Sequence, residues 1–512
     1  MDRKAEEQYN RGLLEFIQNS PSMFHVADNM KKRLEEAGFA QLWEREDWEL
    51  TPGGAYFVTR NDSSLIAFRL PAAGEAGGSR PFKGYHIVAA HSDSPTFKVK
   101  TRPETVAEGC YVRLNVENYG GMILSTWLDR PLSVAGRVAV RRADGGVDMR
   151  LVNLDRDLLV IPNLAVHMNR DINKGYGYNP QTDMLPLMGL LSGADEGEET
   201  AIQPGQGLSQ EGSAFQPGQG LPREGTAIQP GQGLLQEGTA FQSGQSLPGE
   251  ETTSQPGQSL PQEGTAFQPP QGMLLREIAR ELGIAPEDIL DSDLYLYVRE
   301  RGRVIGRDGE LLLSPKLDDL QCVYAGLEGF VSAAPGQYAN VLAVFDNEEV
   351  GSGTRQGADS TFLEDVLLRI QDSLGYGPSV YRQLVADSFL ISADNAHAVH
   401  PAHPEKADPT NRPLLGGGIV IKYHGGQKYT SDALSAAQMR LWCERAGVPC
   451  QTFANRSDAV GGSTLGNIST SHVSLTSVDI GLPQLAMHSA VETGCGRATA
   501  QAVAVFEQFW RE

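Results

Sequence analysis

Residues 338–349 read YANVLAVFDNEE, and this stretch decides the fold class. An apolar run from Ala339 to Phe345, broken only by Asn340, ends abruptly in Asp346, Glu348 and Glu349. A strand covered on one face alternates apolar and polar residues; a near-continuous run marks one covered on both faces. Carboxylates at its carboxyl end then stand where open α/β sheets place their ligands. Working outward, three other runs repeat the pattern. HIVAA (86–90) leads into His91 and Asp93, SFLISA (388–393) into Asp394, and SLTSVDIG (474–481) runs on towards His488. Helical stretches such as KLDDLQCVYAGLEGFVSAA (316–334) and SDALSAAQMRLWCERAG (431–447) lie between them. The expected fold is α/β, a mixed central sheet with helices on both faces.

Residues 5–38 read as two helices broken at Ser20–Pro21, followed by the strands AYFVTR and SLIAFRL. Between 99 and 192 the texture is different. Short β-like pieces, YVRLNVEN, GRVAVRR and DLLVIPNL, alternate with Gly-Gly and Asp-Gly turns. The expected organisation is therefore a catalytic α/β domain in two parts, 1–98 and 310–512, interrupted by a β-rich domain at 99–309.

A tandem repeat lies inside that β-rich part. Copies of a 13-residue unit such as EGSAFQPGQGLPR begin at 198, 211, 224, 237, 250 and 263. The segment 193–272 holds 16 Gly and 9 Pro in 80 residues, with ten carboxylates and the single cation Arg223. Each copy offers only one or two large apolar residues, too few for the continuous stripe that a solenoid buries between units. A flexible insertion is expected, with a partner-binding tether as the functional alternative.

The whole chain has 512 residues and a formal charge of −21. That excess argues against non-specific nucleic-acid binding, which relies on Lys and Arg neutralising phosphates. No run approaches the ~20 apolar residues of a membrane span. The start, MDRKAEEQYNRGLLEF, does not read as a secretory signal. Cys110, Cys322, Cys443, Cys450 and Cys495 form no Cys-x-x-Cys pair. They read as small buried or surface thiols in a reducing cytoplasm.

Taken singly, a histidine at a strand end is usually hydrogen-bonded structure, and a Glu-Glu pair a solvated loop. Five separated segments that each place such a residue beside an apolar element are another matter: His91 and Asp93, Asp318, Glu348 and Glu349, Asp394, and His488. Buried carboxylates need a counter-charge, and a pair of divalent ions supplies it. Two His with several carboxylates suit Zn²⁺, with Mn²⁺ or Co²⁺ conceivable.

The ordered motifs SPSMFHVADNM (20–30), AAHSDSPTFKVK (89–100), IPNLAVHMNRDIN (161–173), LSPKLDDL (313–320), FDNEEVGS (345–352), SADNAHAVHP (392–401), VIKYHGGQKYTSDA (420–433) and VDIGLPQLAMHS (478–489) carry a family signature. They resemble the aspartyl aminopeptidase/vacuolar aminopeptidase I family of dinuclear zinc exopeptidases, along nearly the whole chain except 193–272. The stretch NRSDAVGGSTLGN (455–467) departs from the eukaryotic branch and is closer to bacterial members.

The resemblance implies a zinc-exopeptidase fold and a specific site. Asp318 would bridge two metals, His91 and Asp394 completing one and Glu349 and His488 the other. The family pattern alone selects Asp318 over Asp319. Glu348 would be the catalytic carboxylate, moving a proton from water to the leaving amine, and Asp93 would hold the His91 imidazole in its ligating tautomer. His167 matches a histidine that reaches a neighbouring subunit's site, His397 falls near the substrate, and Lys422 near its side-chain pocket. A cation there suits an acidic N-terminal residue, while members with apolar preference leave the choice open. The implied activity is release of single N-terminal residues from peptides by a cytoplasmic homo-oligomer, a dimer building block that relatives assemble into dodecamers. The rival readings are a related dinuclear amide hydrolase, and a self-assembling scaffold with a vestigial site.

Overall fold

The run at 339–345 forms a strand, Ala339–Phe345, buried at every position. Its neighbours build a nine-stranded sheet in the order Ala40–Leu42, Ala55–Arg60, Ser64–Arg69, Ala339–Phe345, Tyr85–His91, Phe389–Ala393, Thr476–Gly481, Ile419–Tyr423 and Cys450–Ala454. The four strands beginning at Ala339, Tyr85, Phe389 and Thr476 are mutually parallel. Antiparallel partners at Ser64–Arg69 and Ile419–Tyr423 flank them, so the sheet is mixed. In this computed structural model residues 3–72, 80–190, 272–334 and 336–512 are described, all of them within one compact unit. Apart from Gly272, the repeat segment 193–272 lies outside the described residues.

Alternate residues of the central strands face opposite sides, which explains why the runs are apolar throughout. Val88, Ala90, Leu342, Val344 and Ile391 pack with the helices Arg3–Gln18, Met23–Glu36, Leu317–Ser332, Ala433–Arg445 and Ala498–Trp510. Ile87, Ala89, Val341, Ala343, Phe345 and Leu390 face the helices Phe362–Ser373, Pro378–Ala386 and Leu465–His472. The expected two-sided cover is present. At the contact between Leu317–Ser332 and Ala498–Trp510, Gly329 permits close approach: a Cβ there would sit 3.2 Å from that of Phe506.

The β-rich region forms an antiparallel six-stranded sheet ordered Val147–Asn153, Leu132–Arg141, Ile289–Val298, Thr96–Ala107, Tyr111–Tyr119 and Leu187–Leu190. It has its own apolar cluster, completed by Leu274, Leu275, Ile278 and Ala279 of the helix Met273–Leu282. One piece read as β-like departs from expectation. DLLVIPNL makes only isolated bridges at Leu159 and Val160. Pro162 lacks an N–H to continue a ladder, and residues 162–168 are exposed.

Candidate metal centre and active site

Parallel strands end on one edge, and that edge collects the polar residues. His91 closes its strand in register with Phe345. The chain beyond Phe345 turns through Asn347 in a left-handed conformation (φ 64°) and presents Glu348 and Glu349 on a short helical turn. Asp394 directly follows Phe389–Ala393. Asp318 and Asp319 open the helix Leu317–Ser332 with non-helical backbone, joined by a cis peptide bond. His488 sits with φ 66° on the loop before the strand Glu492–Cys495.

These elements bring the sequence-predicted ligands together. His91, Asp318 and Asp394 form one group with ligand atoms within 4.8 Å of one another, and Asp318, Glu349 and His488 form another. Asp318 belongs to both. Its Oδ1 is 3.8 Å from His91 Nε2 and its Oδ2 is 3.3 Å from His488 Nε2. Glu349 Oε2 is 3.5 Å from the same His488 nitrogen. A third group joins His91 to Glu348 and Glu349. Asp319 instead accepts from the His91 backbone N–H at 3.3 Å.

Both imidazoles are oriented from behind. His91 Nδ1 lies 3.1 Å from the Asp93 carbonyl, and His488 Nδ1 lies 2.6 Å from the Gly121 carbonyl. A carbonyl only accepts, so Nδ1 carries a hydrogen in each and Nε2 is the nitrogen left to face the carboxylate cluster and to ligate an ion there. The Asp93 side chain lies slightly farther off, with Oδ1 3.4 Å from His91 Nδ1. Its carboxylate accepts from the backbone N–H groups of Glu348 and Glu349, each at 3.1 Å, and from the Tyr119 hydroxyl at 2.8 Å. Gly120 (φ 77°) lets the next loop approach, since a Cβ there would lie 3.1 Å from that of Glu349.

Sequence reasoning missed a second buried organiser. Glu492 Oε2 accepts from the Asp318 N–H at 3.0 Å and Oε1 from the His488 N–H at 2.7 Å. It thereby ties together two segments that carry ligand candidates. No pattern announces it: its strand has four residues and pairs within a small three-stranded sheet. Tyr119 and Asn347, which donates to the Tyr119 oxygen at 2.7 Å, were missed likewise.

So many buried carboxylates in one place raise each other's proton affinity. Burial, aided by the charges of Asp394 and Asp93 and opposed by His91, pushes Glu348 up to about 7. Burial and Asp318 push Glu349 well above the carboxylate range. Asp394 rises by burial to about 6 despite Lys422 beside it, and Glu492 by burial and Asp318 to about 8. Asp318 goes the other way: burial opposes its ionisation, but the hydrogen bond with His488 and the His91 charge hold it below its usual value. Asp318 Oδ1 and Glu349 Oε1 are buried with no hydrogen-bond partner. Unpaired carboxylate acceptors beside two Nε2 atoms, which would give up their protons to a bound ion, are the donor set a zinc-type cation fits.

The remaining expected residues separate. Lys422 is 3% exposed, with Nζ 3.5 Å from Asp394 Oδ2, so it is no surface lysine. His397 pairs in a two-residue strand with Gln484 and sets its ring edge-on to Phe453 at 6.2 Å. Burial and Lys422 lower its pKa, while Asp318 and His488 also act on it. His167 is not gathered with them. It stands exposed on a loop with Leu164, Val166 and Met168, which is 74% exposed.

The sequence matches the family described as aminopeptidase I zinc metalloprotease (M18) over residues 16–211 and 243–510. It is 42% identical over 509 residues to a probable M18 family aminopeptidase 2 of Clostridium acetobutylicum, covering 99% of each chain. Among solved structures it resembles the chain in the cryo-EM structure of the Ape4 and Nbr1 complex, with a TM-score of 0.80, 31% identity, and coverage of 99% and 86%. The S. cerevisiae mApe1 dodecamer structure shares the fold at a TM-score of 0.72 and 22% identity, with coverage of 99% and 98%.

Proposed function

The chain belongs to the aminopeptidase I zinc metalloprotease (M18) family and is a metallo-aminopeptidase; from that premise we propose that it releases single N-terminal residues from peptides, with two bound divalent ions and Glu348 as general base. The observation that carries this reading is the shared position of Asp318 between two ligand groups. His91 and Asp394 on one side, Glu349 and His488 on the other, would hold the ions with it. Zinc comes first on the nitrogen-and-oxygen donor set, with manganese or cobalt as substitutes. Bound there, such ions polarise a carbonyl and bring the pKa of a water near neutrality.

The chain's own groups do the rest. Asp93 fixes the backbone that carries Glu348, so the carboxylate meets the attacking water in one orientation. It takes that water's proton and gives it to the departing amine. His397 is assigned a substrate contact, supported by its place within the field of Asp318 and His488. Lys422 supports a preference for acidic N-terminal residues through its buried positive charge. His167, exposed among apolar neighbours, is assigned to a partner copy's site. The six-stranded sheet with its own core supports the division into 1–98 with 310–512 and a 99–309 dimerisation domain. A homo-oligomer is supported by that exposed loop and by the dodecamer seen for a protein of this fold. No helix of the described residues is long and apolar enough to cross a membrane. Five free cysteines support a cytoplasmic location.

Metal analysis of the purified protein, with a panel of Asp, Glu and Leu aminoacyl substrates, tests the reading. Two ions per chain and chelator-sensitive release are expected, fastest from Asp or Glu. Absence of both metal and turnover would overturn it, and preference for Leu would overturn the acidic assignment alone. Glu492→Gln places an amide NH₂ against one of the two backbone donors, so one segment loses its anchor. Metal affinity is expected to fall roughly 10–100-fold with the fold retained, read by zinc competition titration.

A further inference from the structure

Away from the carboxylate cluster, two thiols meet at the edge of the nine-stranded sheet. Cys443, 1% exposed, lies on the helix Ala433–Arg445; Cys450, half-buried, opens the edge strand Cys450–Ala454. The intervening chain turns at Gly447 (φ 65°), and the Val448 N–H returns to the Cys443 carbonyl at 2.9 Å. Both side chains pack into one apolar cluster. Arg440, one helical turn before Cys443 on the same helix, donates from Nη1 to the Cys450 sulfur at 3.4 Å, so that turn of the helix lies against the edge strand. A cationic donor thus faces a partly accessible sulfur. Nothing in the hydrolytic reading uses these thiols.

We propose that Cys450 and Cys443 form an oxidisable dithiol site, with Cys450 as the nucleophile towards a hydroperoxide and Cys443 as the resolving thiol. Donation from Cys443 lowers the Cys450 pKa to about 6, burial opposing and Arg440 assisting, so the sulfur is mainly thiolate at neutral pH. The buried Cys443 is pushed up by that same hydrogen bond and by desolvation, and keeps its proton. In the first step the Cys450 sulfur forms a bond to one peroxide oxygen, the O–O bond breaks, and hydroxide leaves. In the second, the Cys443 sulfur bonds to the Cys450 sulfur and expels its hydroxyl, which departs as water with the Cys443 proton. The two thiols lose two electrons and the peroxide gains them.

The experiment uses the full-length protein and its exposed Cys110 as internal reference. At pH 7, brief N-ethylmaleimide labelling should modify Cys450 at least tenfold faster than Cys110. After stoichiometric hydrogen peroxide and a denaturing alkylating quench, trypsin should release residues 441–445 joined through sulfur to 446–456. Cys443→Ser should leave a dimedone-reactive sulfenic acid at Cys450, and Cys450→Ser should protect Cys443 from oxidation. Equal labelling of Cys450 and Cys110 would overturn the proposal. So would oxidation of Cys450 in the unsubstituted protein without the joined peptides. Both readings come from the wild-type chain, so a poorly folding variant does not shelter the idea.

Discussion

Glu348→Gln should lower kcat by about 10²–10⁴-fold, the range for removing a positioned general base, while zinc content and KM stay near their wild-type values. Glutamine keeps the side chain's length and its acceptor oxygen, and the backbone N–H that Asp93 holds at 3.1 Å is untouched. What it lacks is a site for the proton. In the metal-free chain burial raises this carboxyl to about 7, near neutral pH, where a base can both take and return a proton. Metal content matters as much as rate here. Glu348 also falls in a ligand-like group with His91 and Glu349, so it has a rival part as a ligand. Loss of metal together with turnover would assign it that part, and hydrolysis within a few-fold of wild type would remove it from the chemistry.

The central sheet was legible because its strands are buried on both faces. The apolar runs ending at Phe345, Ala393 and Gly481 carry no competing periodicity, and each forms the strand expected of it. The ligand candidates were legible for a related reason: each alone has an ordinary explanation, but five separated segments place one beside such an apolar element. Asp318 against Asp319 was not legible. Both are buried at the start of one helix, and only the backbone bend turns the first towards His488 and the second behind His91. Glu492 was invisible because its work is done through backbone amides, one of them, that of Asp318, far away in sequence. DLLVIPNL misled because composition reports apolarity and not whether a ladder partner exists.

Asp318→Asn should be the most damaging single change to metal binding, because Asp318 is shared between the two proposed ion sites, one with His91 and the other with His488. An amide has no negative charge, and its nitrogen would be turned to one of the two Nε2 positions at 3.3 and 3.8 Å. Zinc affinity should fall by more than 100-fold, and hydrolysis with it. Stability gives a readout independent of turnover. In metal-free protein, Asp394 and Glu348 titrate at about 6 and about 7 instead of near 4, so the folded state binds more protons than the unfolded one. Their contribution is fully present below about pH 4 and is lost as pH rises through 6 and 7. Asp318, held low, is ionised in both states over this range and gives no slope. His25, His86 and Lys316, lowered by burial to about 4, about 3 and about 7, oppose the trend. Glu349 and His91, held high, and Glu492, at about 8, add to Asp394 and Glu348, and together they outnumber the opposing groups. Chelated wild-type protein should therefore melt lower at pH 8 than at pH 5.5. Zinc at about a thousand times Kd should restore roughly 4 kcal/mol at pH 8 in the wild type and little in Asp318→Asn, at equal chain concentration. Equal zinc stabilisation of the two proteins would show that the ion is held elsewhere. A metal-free wild type with unchanged stability from pH 5.5 to 8 would show that the cluster does not repel itself as its burial requires.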